Sequence, residues 1–243
     1  MTRLRRQLAG ATHPRHVAMI IDGNRRWARQ WGESSEHGHR AGAVKVREFL
    51  TWCDDAGIDV VTLYLLSTDN LTGRDTAELA ALTGIIADLA EELSGVRDWR
   101  VHHVGSREGL PDELIAALDR AADATAQHPG LHVNLAVGYG GRREIADAVR
   151  AIVHHHAESG GTLDELAELV TPERIAEHLY TGGQPDPDLV IRTSGEQRLS
   201  DFMLWQSAHS EFYFVEALGP DLREVDFLRA LRDFSRRQRR FGQ

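Results

Sequence analysis

Residues 60–94 read VVTLYLLSTDNLTGRDTAELAALTGIIADLAEELS, an apolar run followed by a longer amphipathic segment. The run at 60–66 is apolar at nearly every position, which is typical of a β-strand covered on both faces. The segment 76–94 repeats aliphatic residues at three- and four-residue steps, the period of one helix face. These residues are Leu79, Leu82, Ile86, Leu89 and Leu93. The stretch therefore predicts a strand followed by a helix.

The same alternation of apolar runs and helical patterns extends through the chain. Strands are predicted at 17–21, 60–66, 101–104, 131–137, 189–191 and 211–214. Helices are predicted at 42–55, 76–94, 111–125, 142–156, 171–180 and 224–240. This pattern predicts one α/β domain with a central, mostly parallel six-stranded sheet flanked by helices. We expect residues 1–14 to be a flexible N-terminal segment and residues 15–243 to form the domain.

Composition excludes several classes of protein. Of the 243 residues, 42% are hydrophobic and 27% charged, as in ordinary globular proteins. The 28 basic and 37 acidic residues give a net charge of −9, so no nucleic-acid partner is expected. A single cysteine, Cys53, allows no intrachain disulfide. With no apolar run near 20 residues and no hydrophobic signal core at the start, we predict a cytoplasmic protein with at most peripheral membrane contact.

The residues after the first predicted strand read DGNRRW, at positions 22–27. Parallel α/β sheets bind ligands beyond the carboxyl ends of their strands. A glycine turn into a helix, with two adjacent guanidinium groups, suits a phosphate. Phosphate would repel Asp22 unless a cation bridged them, and Mg²⁺ is the usual bridge. The alternative interpretation is an Asp-Gly turn with surface arginines.

Three other strand ends carry polar or glycine-rich residues. The segment STDN at 67–70 could bind a polar substrate or could cap the helix near Thr76. The segment RTSGEQRLS at 192–200 offers two arginines and two serines around a glycine, a second phosphate-type site, although its arginines could simply pair with acids. The segment GYGGRRE at 138–144 fails the dinucleotide fingerprint and is interpreted as a tight turn into a helix.

Two further features could serve the same chemistry. Glu211 opens the last predicted strand and could supply a second carboxylate for the metal. His37 and His39 are predicted to lie in a loop, where one of them could contact phosphate. In combination, two arginine-bearing strand ends and two isolated acids indicate an enzyme that holds two phosphorylated ligands with one magnesium ion.

Six motifs, in this order, resemble the cis-prenyltransferase (undecaprenyl diphosphate synthase) family over nearly the whole chain. They are HVAMIIDGNRRWAR (16–29), GHRAGA (38–43), LYLLSTDNL (63–71), VGYGGRREI (137–145), DLVIRTSGEQRLSDFMLWQSAHSEFYF (188–214) and RRFG (239–242). The resemblance implies a homodimer, a parallel sheet and a hydrophobic tunnel for the growing chain. It implies condensation of isopentenyl diphosphate with an allylic diphosphate, forming a Z double bond.

The resemblance also implies roles for individual residues. Asp22 is implied as the essential acid beside Mg²⁺, and Glu211 as the other metal ligand. The implied allylic site contains Gly23, Asn24, Arg25, Arg26 and His39, with Trp27 nearby. The isopentenyl site contains Arg192, Arg198 and Ser200. The polar loop contains Ser67, Thr68, Asp69 and Asn70, with Asn70 positioning or relaying a proton and Arg74 matching the arginine that follows. Arg240 and Gly242 match a C-terminal element that reaches the partner subunit.

Departures from the family pattern bear on the product. Ser35, Asp69, Leu71 and Gln197 replace the family's usual arginine, glutamate, aromatic residue and histidine. Leu65 stands where long-chain members have a small residue, and this resembles the short-chain branch. We therefore expect (2Z,6E)-farnesyl diphosphate from geranyl diphosphate, unless Leu65 is only a core residue. The alternatives are a decaprenyl- or undecaprenyl-type synthase and a non-catalytic partner subunit.

Overall fold

A computed structural model describes residues 2–73, 75–96 and 98–237. In this part of the chain six strands form one sheet, and every adjacent pair is parallel. The strands are β1 His16–Ile20, β2 Val60–Ser67, β3 Arg100–Val104, β4 His132–Tyr139, β5 Leu189–Arg192 and β6 Glu211–Phe214. Their order in space is β3-β4-β2-β1-β5-β6. The predicted α/β architecture is confirmed, and the sheet is wholly parallel.

Helices flank the sheet. They are α1 Thr2–Leu8, α2 Asn24–Gln30, α3 Ser35–Asp55, α4 Thr68–Gly73, α5 Thr76–Ser94, α6 Asp112–Thr125, α7 Gly141–Glu158, α8 Leu163–Leu169, α9 Pro172–His178 and α10 Glu224–Arg236. Short 3₁₀ turns occupy Gln206–His209 and Gly219–Asp221. The larger core packs one sheet face against α3, α5, α6 and α10. No helix among the described residues has the length and apolar character needed to cross a membrane.

Several helical regions differ from the sequence-based prediction. The polar segment at 68–70, predicted as part of a loop, is helical in α4, and α8 was not predicted. The helix predicted from residue 42 begins at Ser35, because the Ser34 hydroxyl caps it by accepting the backbone N–H of His37 at 3.1 Å. His37 and His39 are therefore helical and do not lie in a loop. The N-terminal segment, expected to be flexible, forms α1 and buries Leu8 in the main core. Arg5 also pairs with Glu224 of α10 at 2.5 Å.

Strand order places the carboxyl ends of three strands together at the centre of the sheet. β1 lies between β2 and β5, and the chain leaves β1 on one side before returning on the other. Such a switch in direction opens a crevice at the carboxyl edge of a parallel sheet. Asp22, Ser67 and Arg192 all lie at the end of a strand or just beyond it, at this edge of the sheet.

Candidate active site

Asp22 is held by hydrogen bonds to both oxygens of its carboxylate. Oδ1 accepts the backbone N–H of Gly23 at 2.6 Å, and Oδ2 accepts Nη2 of Arg192 at 2.7 Å. Arg26 adds an ion pair at 3.8 Å. Burial alone raises the pKa of Asp22. The hydrogen bond and charge of Arg192, together with the Gly23 N–H and the charge of Arg26, outweigh it, so the pKa lies below its usual value. The carboxylate is therefore ionised and aimed at the edge of the sheet.

Arg192 joins the ends of β1 and β5 to the loop that follows β5. Its residue surface is only 3% exposed. Nη1 donates to Ser200 Oγ at 2.9 Å and to the carbonyl oxygen of Arg198 at 2.5 Å, while Nη2 binds Asp22. A buried guanidinium with a fixed fork of donors is suited to a planar or tetrahedral oxyanion.

The turn into α2 is built for close backbone approach. Gly23 has a φ of 98°, and a Cβ there would lie 2.8 Å from Leu218 and 3.2 Å from Ser194. The Asn24 side chain packs against Gly42, where a Cβ would lie 2.5 Å from the Asn24 side-chain amide. The short distances at Gly23 leave no room for a side chain, which explains why the residue following Asp22 is glycine.

Three buried polar atoms at this turn lack a hydrogen-bond partner within the described part of the chain. They are Asn24 Oδ1, Arg192 Nε and Ser194 Oγ. Buried polar groups are normally paired, and an unpaired cluster is expected where a bound ligand or water supplies the missing partners. A ligand at the turn would meet the Asn24 acceptor and the cationic donor of Arg192.

Two further arginines at the turn are paired with carboxylates. Arg25 lies 3.8 Å from Glu78, which also contacts Nε2 of the buried His39 at 3.4 Å. Arg26 lies 3.3 Å from Glu196, and Glu196 in turn pairs with Arg198. These arginines are about half-exposed, so their pairing with carboxylates is weak and a phosphate can displace it.

A cavity of about 480 Å³ opens at this edge of the sheet. Its polar residues lie at the ends of β1, β2 and β5, and its apolar residues come largely from α3 and α5. The apolar lining includes Ala43, Val46, Leu65, Leu66, Leu82, Ile85, Ile86 and Leu89. The cavity therefore combines a charged region with an apolar region of a size typical for small-molecule sites.

A β-bulge directs two consecutive leucines into this cavity. The pairing of β2 with β4 shifts between Tyr64 and Leu66, which leaves Leu65 as the extra residue. In a regular strand neighbouring side chains point to opposite faces, but here Leu65 and Leu66 both pack on the face with the larger core. Tyr64 lies on the other face. The bulge thus adds one more leucine to the cavity wall.

The loop after β5 contains residues with positive φ and packs against the glycine-rich segment at 138–144. Ser194, Ser200 and Asp201 have φ of 77°, 50° and 64°, the left-handed region that non-glycine residues rarely adopt. The carbonyl oxygen of Asp201 accepts the N–H of Gly141 at 2.7 Å. A Cβ on Gly140 would lie 2.8 Å from the Asp201 carboxylate. The glycine-rich segment is therefore a tight turn into α7 that packs against the Ser200 loop, as the sequence predicted.

Glu144, buried at the start of α7, ties this loop to the rest of the fold. Its carboxylate accepts Tyr139 OH at 2.5 Å, Gln206 Nε2 at 3.1 Å and the N–H of Tyr180 at 2.9 Å. Burial, the largest contribution, raises the pKa of Glu144 although these hydrogen bonds oppose it. The folded protein therefore gains stability from protonating Glu144.

The variant Glu144→Gln is expected to change how stability depends on pH. A raised folded-state pKa contributes stability fully below the ordinary value of 4.5, and this contribution is lost as pH rises through the folded-state pKa. The free energy of unfolding of the variant, relative to wild type, should therefore increase between pH 4.5 and 7. Urea unfolding at several pH values measures this difference. A difference that does not vary with pH would contradict it.

The cavity gathers most of the predicted site residues. Those that line it are Asp22, Gly23, Asn24, Arg25, Arg26, His39, Ser67, Asp69, Asn70, Arg192 and Ser200. Trp27 points elsewhere, donating to Asp221 at 2.9 Å and stacking on His37. Thr68 and Arg198 also fall outside the lining. Arg74, Arg240 and Gly242 lie outside the described residues.

Glu211 lies at the opposite edge of the sheet from Asp22. Val17, Leu189 and Glu211 are side by side in β1, β5 and β6. Asp22 follows Val17 by five residues, roughly 16 Å along a parallel strand. The Glu211 carboxylate pairs with Arg237 instead. Within one chain the Glu211 and Asp22 carboxylates therefore lie at different ends of the strands, and the role of Glu211 as a metal ligand stays a prediction.

The donor set at Asp22 fits a magnesium ion bound through a phosphorylated ligand. Mg²⁺ prefers oxygen ligands and is usually held by one or two carboxylates together with substrate phosphates and water. Asp22 is ionised and partly exposed, with a side-chain exposure of 32%, so its oxygens retain free lone pairs. Among the described residues no cluster of three His, Cys, Asp or Glu side chains could hold a metal without such a ligand.

Two residues of the site were missed in the sequence. Tyr64 lines the cavity, and its OH donates to the carbonyl oxygen of Ser200 at 3.1 Å. The Thr193 side chain is hydrogen-bonded to the backbone of Asp22. Position next to Arg192 could have drawn attention to Thr193, but nothing in the sequence shows that a tyrosine inside a predicted strand reaches another loop.

The sheet and the site together define a class of protein: an α/β fold with a charged region and an apolar region in one cavity at the carboxyl edge of its sheet. The family model for undecaprenyl diphosphate synthases matches residues 20–242. The chain therefore belongs to this family of prenyltransferases.

Individual relatives are similar over nearly the full length. A protein named (2Z,6E)-farnesyl diphosphate synthase from Thermobifida fusca is 58% identical over 241 residues, covering 99% of this chain and 94% of its own. Isoprenyl transferase 1 from Streptomyces avermitilis is 55% identical, covering 94% and 89%. The crystal structure of lavandulyl diphosphate synthase from Lavandula x intermedia with dimethylallyl diphosphate has a TM-score of 0.87 at 35% identity, covering 95% and 99%.

Proposed function

We propose that this protein condenses isopentenyl diphosphate with geranyl diphosphate to form (2Z,6E)-farnesyl diphosphate, with Mg²⁺ as cofactor. One observation carries this proposal. The ionised Asp22, hydrogen-bonded to the buried Arg192, lies in the same cavity as an apolar wall formed by α3 and α5. The names of relatives such as the Thermobifida fusca farnesyl diphosphate synthase support the chemistry.

The two diphosphates are assigned to the two arginine-bearing strand ends. The α2 turn, with Arg25, Arg26 and the nearby His39, holds the allylic diphosphate with its prenyl tail along the apolar wall. Arg192 and Ser200, with Arg198 turning inward from Glu196, hold isopentenyl diphosphate. Asp22 lies between these two groups and would hold Mg²⁺. This arrangement brings the two reacting carbon atoms together.

The reaction forms a carbocation and a diphosphate anion, and it depends on stabilising both of them while water is excluded. Loss of diphosphate from the allylic substrate leaves a carbocation, and arginine side chains stabilise the departing anion. When bound, Mg²⁺ supplies further neutralisation of the diphosphate charge. The leucines and isoleucines of the cavity exclude water that would otherwise capture the carbocation. Asn70 lines the cavity and positions the isopentenyl group or relays its proton, while a diphosphate oxygen is the base.

A short product is proposed from the cavity wall and from the names of relatives. Leu65 is the extra residue of a bulge and shares the cavity wall with Leu66. Its bulk narrows the cavity close to the polar residues at the strand ends. A longer prenyl chain would need the space that this side chain occupies. Relatives named short-chain Z-isoprenyl diphosphate synthase are 54–56% identical.

The variant Leu65→Ala is expected to make longer products. Removing the side chain opens space in the cavity without touching the charged groups. Product lengths from labelled isopentenyl diphosphate, separated by reversed-phase chromatography, measure the effect. Leu79→Ala is the matched control, because Leu79 is also a partly buried leucine but does not line the cavity. An unchanged distribution in Leu65→Ala would count against the proposed role.

The function is tested by incubating the purified protein with labelled isopentenyl diphosphate, Mg²⁺ and either geranyl or E,E-farnesyl diphosphate. We expect a fifteen-carbon Z product from geranyl diphosphate. Products well beyond fifteen carbons would establish a long-chain synthase instead. No incorporation with either substrate would leave the non-catalytic subunit as the better interpretation.

We also propose a homodimer in the cytoplasm. The C-terminal segment that includes Arg240 resembles the family element that reaches the partner's active site. Sedimentation is expected to give twice the chain mass of 27.1 kDa. A species of single-chain mass at assay concentrations would contradict the dimer.

A further inference from the structure

We propose that Thr193 is a positioning residue for Asp22, acting through its side-chain hydroxyl. This proposal rests on the function proposed above. Thr193 follows Arg192 at the end of β5 and is completely buried. It touches neither the cavity nor any predicted ligand position. Its contacts are with the backbone of the residue that carries the essential carboxylate.

The Thr193 hydroxyl satisfies both backbone polar groups of Asp22. Oγ1 accepts the Asp22 N–H at 2.8 Å and lies 2.8 Å from the Asp22 carbonyl oxygen, to which it donates. The N–H of Thr193 donates to the carbonyl oxygen of Ile20 at 3.1 Å, which extends the pairing of β1 and β5 by one step. Gly219 adds a second N–H to the Asp22 carbonyl at 2.8 Å. The backbone of Asp22 is thereby fixed from two sides.

Arg192 and Thr193 fix Asp22 at two different points. Arg192 holds the carboxylate, and Thr193 holds the backbone from which the carboxylate extends. Two points of attachment define the direction of the side chain, whereas one leaves it free to pivot. Residues that orient the ligands of a metal or a reacting group typically affect affinity or activity by about 10–100-fold. We therefore expect the hydroxyl to matter for turnover as well as for folding.

The variant Thr193→Val tests this because it removes the hydroxyl while keeping the shape. We expect kcat/KM to fall by about 10–100-fold, mainly through kcat, because the arginines that bind the diphosphates are unchanged. Thr193→Ser restores the hydroxyl and should recover most of the activity. An equal loss in Thr193→Ser, or an unchanged kcat/KM in Thr193→Val, would overturn the proposal.

Thr125→Val is the matched control for stability. Thr125 is also completely buried, accepts a backbone N–H from Val101 at 2.9 Å and donates to the carbonyl of Ala121 at 2.8 Å. It lies at the end of α6, beside the edge strand β3 and three strands away from β1. We expect both valine variants to lose similar stability but only Thr193→Val to lose turnover. A comparable loss of kcat in Thr125→Val would show that general loosening explains the effect.

A double-mutant cycle with Asp22→Asn separates positioning from other roles. If Thr193 acts only through the Asp22 carboxylate, Thr193→Val should lower kcat/KM by a much smaller factor in the Asp22→Asn background than in wild type. The same fold-loss in both backgrounds would overturn the proposal. Wild-type activity, measured alongside, distinguishes the two claims. An inactive wild type would contradict the proposed function. An active wild type with unchanged activity in Thr193→Val would contradict only this inference.

Discussion

Asp22→Asn is expected to lower kcat/KM for isopentenyl transfer by roughly 10³-fold or more, the scale seen when a main electrostatic contact of a transition state is lost. Asparagine keeps the size of the side chain and one acceptor for Arg192, so the fold should persist. What it removes is the negative charge that would hold Mg²⁺ next to the diphosphate. Incorporation of labelled isopentenyl diphosphate measures the loss, and circular dichroism checks the fold.

Asp59→Asn is a suitable control for the loss of a carboxylate. Asp59 accepts Nε of Arg15 at 2.9 Å, and it lies just before β2 at the amino edge of the sheet. Its removal deletes one acid–arginine pair far from the cavity, so activity should match wild type. If Asp22→Asn retained wild-type turnover, the assignment of Asp22 as the essential acid would be wrong.

Arg192→Lys is expected to lower both activity and stability. Lysine keeps the charge but cannot reach Asp22, Ser200 and the Arg198 carbonyl with one planar fork. Each lost hydrogen bond to a charged group contributes about 1.5–3 kcal/mol, so we expect kcat/KM to fall by roughly 10²-fold. Stability should fall by about 2 kcal/mol, because the acceptors left behind are partly buried. Steady-state kinetics and urea unfolding measure the two effects.

Arg107→Lys is the matched control for this substitution. Arg107 binds Asp119 with two hydrogen bonds, at 2.9 and 2.5 Å, but both side chains are more than 40% exposed. Surface pairs of this kind contribute at most about 1 kcal/mol, and this pair is not at the cavity. Equal losses in Arg192→Lys and Arg107→Lys would contradict the special role of the buried pair.

The sequence was most informative where a strand ends. The apolar runs before Asp22 and Arg192 predicted strands, and parallel strands with helical connections place their carboxyl ends together. Proximity of Asp22, Arg192 and the segment Ser67–Asn70 followed from that rule alone, although this segment is the end of β2 and the start of α4 and not a loop. All three regions contribute to the cavity. The prediction succeeded here because strand direction decides which end of each strand reaches the site.

The sequence was least informative where packing overrides local propensity. The two glycines around His39 reduced the helical signal, yet they are needed because Asn24 lies against this part of α3: a Cβ on Gly38 would come within 2.3 Å of the Asn24 carbonyl. A contact between residues distant in the sequence thus explains the glycines in α3. The same limit applies to Leu65, whose turn into the cavity depends on a bulge between β2 and β4.

Glu211 illustrates a different limit. The sequence correctly predicted that Glu211 begins the last strand. A residue that begins a parallel strand lies at the amino edge of the sheet. Strand direction correctly places Asp22 at the carboxyl ends of the strands, and it places Glu211 at their amino ends. The sequence rule was therefore sufficient to exclude Glu211 from the crevice within one chain.

The most direct test is a crystal structure of the protein soaked with isopentenyl diphosphate, Mg²⁺ and geranyl thiolodiphosphate, in which sulfur replaces the reactive bridging oxygen. We expect one head group at the α2 turn beside Asp22 and Arg26, the other at Arg192 and Ser200, and the prenyl tail against Leu65 and α5. Head groups bound away from Asp22 and Arg192, or a tail outside this cavity, would contradict the proposed site.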